Sequence, residues 1–268
     1  MPALHLVVLA LVQGITEFLP ISSSGHLVLV PIFTGWPDQG LILDVAVHVG
    51  TLGAVMLYFW RDVIGMIKGF FMTLRGRPDS YAKMAGLIVL ATIPVIIAGY
   101  ALNKYGTGSL RSLTIIGWAT LGFGIVLWIT DKVGMTLRRI EHLGLGDVAI
   151  IGIAQVLALI PGTSRSGITM SAARMLGMER TDAARFSMLL SIPTIIGAGT
   201  LAGLELYQAG DARLTSDAMV AAGLAFITAL IAIAVLMAWL KRASFTPFVI
   251  YRIILGCGLL GLSYGYLG

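Results

Sequence analysis

Glu17-Phe18-Leu19-Pro20-Ile21-Ser22-Ser23-Ser24-Gly25-His26 breaks an apolar region that otherwise runs from residue 2 to residue 35. Ile160-Pro161-Gly162-Thr163-Ser164-Arg165-Ser166-Gly167 breaks a second region, 148–178, in the same way. The pieces left on either side are about 10–16 residues long, and a helix that crosses a bilayer takes roughly 20. Polar, proline-bounded turns at membrane depth persist only where they are buried in protein or line a wet cavity. Each region therefore reads as a re-entrant helical hairpin.

The bilayer itself follows from composition. Of 268 residues, 57% are hydrophobic and 12% charged, and the mean hydropathy is +0.93. A soluble domain is about a quarter charged; this chain cannot cover a water-facing surface. Six further segments approach spanning length: 44–60, 82–102, 112–130, 183–205, 217–240 and 247–267. The expected fold is an all-α integral membrane domain over residues 1–268, with six transmembrane helices and two re-entrant hairpins. Residues 1–13 lack a basic n-region and an A-x-A site, so no cleavable signal peptide is expected. The single cysteine, Cys257, excludes an internal disulfide and sits in an apolar run as a packing residue. The net charge of +5 reads as basic loops at a membrane surface, and no basic-aromatic patch points to nucleic acid.

The two hairpins match each other. At an offset of 142, Gln13 meets Gln155, Ser22 meets Ser164, Ser24 meets Ser166 and Gly25 meets Gly167. Residues 1–130 and 143–268 are thus expected to be two copies of one unit. Loop charges give their orientation. Segments 61–83, 131–146, 178–185 and 241–246 together hold twelve Lys and Arg, and the alternate loops hold three, Lys104, Arg111 and Arg213. The basic set belongs in the cytoplasm. Three spans separate the hairpins, so the halves are expected to have opposite topology. Inverted repeats with broken helices place a site near the midplane where the halves meet.

The residues of the breaks suggest its chemistry. Glu17 is a carboxylate in an apolar half-helix, an unfavourable placement that marks function. Gln13 lies four residues earlier on the same helical face. The pair suits a hard divalent cation such as Mg²⁺, or the positioning of a water. The alternative is a structural Glu17 bonded to the opposite hairpin. Ser22, Ser23, Ser24 and Gly25 precede a half-helix N-terminus, where unpaired N–H groups and the helix dipole favour an anion. At least one serine there is expected to cap the helix. His26 follows Ser23 by three residues and Ser24 by two, a spacing for proton exchange with a seryl nucleophile or a leaving group.

The second break carries the requirements of phosphate binding. Gly162 permits close backbone approach, the hydroxyls of Thr163, Ser164, Ser166 and Thr169 donate, and Arg165 supplies a permanently charged fork. Arg165 needs an anionic partner: Glu17, a substrate phosphate, or each at a different stage. Asp44 and His48, four residues apart, either flank the site or make an interhelical hydrogen bond. Trp60 and Arg61 look like interface anchors. No Walker loop, dinucleotide fingerprint or Cys/His metal spacing is present in the sequence. A carrier would use the same turns to bind without cleavage; the Ser22–His26 set, which a carrier does not need, favours an enzyme.

Both turns resemble the bacterial undecaprenyl pyrophosphate phosphatase family, also known for bacitracin resistance. The family's (E/Q)-x-x-x-E motif is matched by Gln13-Gly14-Ile15-Thr16-Glu17. Its P-G-x-S-R-S-x-x-T motif is matched by Pro161-Gly162-Thr163-Ser164-Arg165-Ser166-Gly167-Ile168-Thr169. Phe59-Trp60-Arg61 and Phe186-Ser187-Met188-Leu189-Leu190-Ser191-Ile192-Pro193 are similar too. Gln13 is the permitted variant where many members carry Glu. The resemblance implies a hydrolase that removes the terminal phosphate of undecaprenyl pyrophosphate and returns the lipid carrier to cell-wall synthesis. It implies dependence on Mg²⁺ or Ca²⁺. It places functional residues at Gln13, Glu17, Ser23, His26, Ser164, Arg165 and Thr169, and the chain in the bacterial inner membrane as a multi-pass protein. On this reading the nucleophile is Ser23 or Ser24 with His26 assisting, or else water; partners are the lipid substrate, membrane lipid and a possible second copy of the chain.

Overall fold

The structure, a computed structural model, describes residues 2–38, 40–77, 79–106, 110, 112–209 and 212–266. Arg111, and residue 267 of the last predicted span, lie outside them. Among the described residues eleven α-helices follow in order: α1 (Ala3–Thr16), α2 (Ser23–Thr34), α3 (Gly40–Tyr58), α4 (Trp60–Leu74), α5 (Ser80–Tyr105), α6 (Leu113–Val133), α7 (Leu145–Val156), α8 (Arg165–Met175), α9 (Arg180–Ala209), α10 (Ala212–Leu240) and α11 (Thr246–Ser263). No strand is formed among the described residues.

The six segments expected to span fall on α3, α5, α6, α9, α10 and α11. Among the described residues, four stretches are long and apolar enough to cross alone: Ser80–Leu102, Leu113–Val133, Leu214–Leu240 and Thr246–Ser263. A fifth exists only if α3 and α4, bent by 82° at their junction, are taken together. The chain is an all-α, multi-pass membrane protein. The two broken regions form α1–α2 and α7–α8, of 14, 12, 12 and 11 residues. The helices of each pair pack on each other. Both breaks predicted from Pro and Ser content are therefore present.

One element was hidden in the sequence. Residues 61–83 read as a basic loop, yet 60–74 form α4. Ile64, Ile67, Phe71 and Leu74 recur at helical spacing between Arg61 and Arg75, and all four are exposed. Such a two-faced helix suits the membrane interface, where apolar and basic sides are both satisfied.

Small residues set the helix separations. A Cβ on Gly50 of α3 would collide with Ala222 O of α10, and one on Gly152 of α7 would sit 2.7 Å from Ala91 O of α5. Backbones approach this closely only over glycine. At the basic end, Asp131 of α6 takes Arg180 at 2.7 Å and Arg174 at 3.3 Å. Arg185 pairs with Asp62. Arg138 donates to both oxygens of Asp147, at 2.9 and 2.7 Å, and these bonds hold that carboxyl below its usual range.

Candidate active site

The two breaks fold the same way. Ser22 and Ser164 have φ of 77° and 72°, the only non-glycine residues with positive φ among those described. Ser22 caps α2, its Oγ accepting from Gly25 N at 3.3 Å; Ser164 caps α8, accepting from Gly167 N at 3.1 Å. The Ser24 and Ser166 hydroxyls lie 3.4 and 3.1 Å from their capping partners. A serine held in the left-handed region is strained by about 1–3 kcal/mol, so the surrounding contacts over-determine both turns. The turns also touch. Ser166 Oγ donates to Leu19 O at 2.9 Å, and a Cβ on Gly25 would meet Gly162 Cα at 3.5 Å.

Glu17, at the end of α1, is 6% exposed. Its Oε2 accepts from Ser23 Oγ at 2.6 Å and from Gln13 Nε2 at 2.9 Å; its Oε1 accepts from Arg165 Nη2 at 3.0 Å. His48 Nε2 stands 3.5 Å from Oε2. The His48 Nδ1 lies 2.6 Å from Asp44 O, a pure acceptor, which assigns the proton to Nδ1 and leaves Nε2 facing the carboxylate. Arg165 reaches onward, Nη1 donating to Ser187 O at 3.0 Å. Thr169 Oγ1 donates to Arg165 O at 2.8 Å and so accepts from Ser187 Oγ at 2.6 Å. Arg165 is thus held from behind by its own helix and by α9, with its fork aimed across the interface.

Glu17, Ser23, Ser24, Asp44, His48, Ser164 and Arg165 line one cavity of about 360 Å³, together with Gln155 and an apolar wall that includes Val95, Leu159 and Ile195. Seven of the predicted residues are therefore brought together. Others stand behind the wall. Gln13 is fully buried and offers Glu17 its N–H, leaving its Oε1 without a partner. Thr169 and Ser166 support Arg165 and the first turn. Gly162 has φ of 95°, and a Cβ there would stand 2.6 Å from Ile116 O, so its lack of a side chain serves contact with α6. The Thr163 hydroxyl is buried without a partner.

His26 is turned elsewhere. Its Nδ1 lies 2.7 Å from Ser22 O and its Nε2 2.6 Å from Tyr251 OH on α11. The expected His26–Ser23 pairing is not formed; Nδ1 bonds back to Ser22 O at the start of its own helix, and Nε2 docks α2 on α11. The carboxylate of Glu17 occupies the position at Ser23 that sequence spacing had given to the imidazole. Sequence reasoning also passed over Ser187, Gln155 and Arg252. Ser187 lay inside a quoted motif, Gln155 at the repeat equivalent of Gln13, and Arg252 inside an apolar span, which by itself marks a residue as unusual.

A divalent cation has a restricted donor set here. No three His, Cys, Asp or Glu cluster among the described residues. Glu17 and Asp44 are the carboxylates of the cavity wall. Two carboxylates fit a hard cation that takes its remaining ligands from water and from phosphate oxygens. In this arrangement Arg165 holds one oxygen of Glu17, so a cation and the arginine compete for it.

The cavity thus combines a hydroxyl bonded to a carboxylate, a guanidinium, a capped helix start from each hairpin and an apolar wall. The family profile described as "Bacitracin resistance protein BacA" matches residues 6–258. The chain is 53% identical to "Undecaprenyl-diphosphatase 1" of Rhodospirillum rubrum, over 97% of this chain and 95% of that one. It is 52% identical to "Undecaprenyl-diphosphatase" of Ruegeria pomeroyi, over 98% and 100%. To that of Jannaschia sp. it is 55% identical, over 97% and 98%. With a profile match across nearly its whole length and relatives above 50% identity end to end, the chain belongs to the bacitracin resistance protein BacA family.

Proposed function

We propose that the chain is a membrane phosphatase that hydrolyses undecaprenyl pyrophosphate to undecaprenyl phosphate and inorganic phosphate. The observation that carries this is the Ser23–Glu17–Arg165 constellation facing one cavity with an apolar wall. The relatives' names supply the substrate.

The substrate's pyrophosphate enters the cavity, and Arg165 moves from Glu17 to the phosphate oxygens. Arg165 stays anchored by Ser187 O and spreads the charge of the transferring group. Ser23 Oγ attacks the terminal phosphorus as its proton passes to Glu17. The new O–P bond forms while the bridging P–O bond breaks, and undecaprenyl phosphate leaves. Water then attacks the phosphoserine, His48 Nε2 taking its proton, and the P–O bond to Ser23 breaks as Ser23 Oγ recovers the proton held by Glu17; inorganic phosphate departs. In the rival path water attacks directly and Ser23 only binds. Glu17 and Asp44 would hold a cation of the Mg²⁺ or Ca²⁺ class, which would supply neutralisation of the charge that develops on the phosphates.

The two halves, 1–130 and 143–268, act as an inverted repeat. The matched caps at Ser22 and Ser164 support this, as do the paired packings of α1 on α10 and α7 on α5. The bacterial inner membrane is the compartment that fits a recycled cell-envelope lipid.

Purified protein in detergent with Mg²⁺ or Ca²⁺ is expected to release phosphate from a polyprenyl pyrophosphate, and Arg165→Ala to abolish it. No release with any divalent ion would move the assignment to a carrier. Acid-quenched single turnovers are expected to trap phosphate on Ser23; its absence there would favour direct water attack.

A further inference from the structure

Arg252 lies in the middle of α11 and is fully buried. Its bonds all run to backbone carbonyls. Nη1 donates to Pro20 O at 3.1 Å; Nη2 donates to Gly162 O and Thr163 O, both at 2.9 Å; Nε donates to Thr120 O at 3.0 Å. Pro20 belongs to the first break and Gly162 and Thr163 to the second. One planar group therefore holds both turns, and α6 holds it in turn.

The direction of these bonds matters at an anion site. A carbonyl pointing into a phosphate pocket repels its ligand, and across a trans peptide the next N–H points the opposite way. By drawing Thr163 O to itself, Arg252 turns the Ser164 N–H away from itself, and Ser164 lines the cavity. It also engages three carbonyl oxygens of the two turns. Among the described residues no side-chain carboxylate is bonded to it, and its charge sits beside the turns.

We infer that Arg252 is a positioning residue, a guanidinium clip that joins the two turns and turns their carbonyls away from the phosphate site. It does not touch substrate. The clip sets the placement of Ser23 relative to Arg165 and the orientation of the Ser164 N–H. A lysine cannot replace it, because one ammonium offers three donors from a single point and cannot span Pro20 O and the 162–163 carbonyls together.

The effect on turnover rests on the phosphatase reading; the geometry of the clip does not. The test uses full-length protein in detergent, with Arg252→Lys and, as a milder second variant, Gly124→Ala. A Cβ on Gly124 would lie 3.0 Å from Arg252 Cβ and 3.4 Å from its Nε, pushing the clip while keeping its charge. Amide hydrogen exchange over 19–25 and 161–167 is expected to accelerate at least tenfold in both turns together, while α3 and α10 stay unchanged. In phosphate release, kcat is expected to fall about 10–100-fold with KM within about threefold, because misplacement of this order acts on the transition state. Unchanged exchange in either turn overturns the clip. Faster exchange with unaltered kcat, or a rise in KM alone, overturns its link to chemistry. An inactive wild type would sink the phosphatase reading alone, and exchange would still decide the clip.

Discussion

Ser22 and Ser164 hold a backbone conformation that serine rarely adopts, and both use their hydroxyls as caps. The two effects separate on substitution. Glycine removes the strain and loses only a few tenths of a kcal/mol as a cap, whereas alanine keeps the strain and loses about 0.5–2 kcal/mol of capping. Ser164→Gly is therefore expected to melt at or above the parent temperature in detergent, and Ser164→Ala below it. Equal melting of the two would show that the φ values carry no strain. Glu17 allows a sharper test of chemistry. Glu17→Gln keeps volume and two polar atoms but removes the proton acceptor 2.6 Å from Ser23 Oγ. Phosphate release is expected to fall about 10²–10⁴-fold; a fall of less than tenfold would remove Glu17 from that role. At this scale Glu17, Ser23 and Arg165 were legible because charge and clustered hydroxyls stand out in an apolar run. The partner of Ser23 was not. Spacing along the chain favoured His26, but the turn at Ser22 sends that ring toward Tyr251, and only the fold brings Glu17 back over six residues.

Helices were legible where they are long and uniformly apolar, as in α5, α6, α10 and α11. They were hidden where two faces differ, as in α4, whose Arg and Lys masked its apolar stripe. The bend between α3 and α4 was equally invisible, since it falls at Phe59-Trp60 with no proline or glycine to mark it. Packing distances were foreshadowed only by glycine content, not by position. Gly50 and Gly86 illustrate this, being alike in sequence but not in place. A side chain on Gly50 drives into the α10 backbone at Ala222, and one on Gly86 meets nothing within 4 Å. Gly50→Val is expected to destabilise by about 1–3 kcal/mol or to abolish folded yield. Gly86→Val is expected to melt close to the parent. Both follow from thermal unfolding in detergent, and similar melting of the pair would contradict the α3–α10 contact.

The whole molecule joins an argument from charge to an argument from repetition. Twelve basic residues lie in one set of segments and three in the other, and the copies at 13–25 and 155–167 stand three spans apart. Either observation alone leaves a choice: charge bias orients any membrane protein, and a repeat can be parallel. Together they are the basis for proposing that α1–α2 open from the outer face and α7–α8 from the cytoplasmic face. The structure adds that both turns converge on a single cavity and share one buried arginine, a meeting that parallel copies on one face would not need. Cysteine accessibility tests the arrangement directly, because Cys257, exposed on α11, is the one native thiol to remove. In a Cys257→Ser background, a membrane-impermeant maleimide on intact cells is expected to label Asp38→Cys, just past α2. It is expected to leave Glu141→Cys, just before α7, untouched until the membrane is opened. If both positions label from outside, the hairpins enter from one face. The two turns would then have to reach the cavity by different depths, and the division of the site between inverted halves would fall.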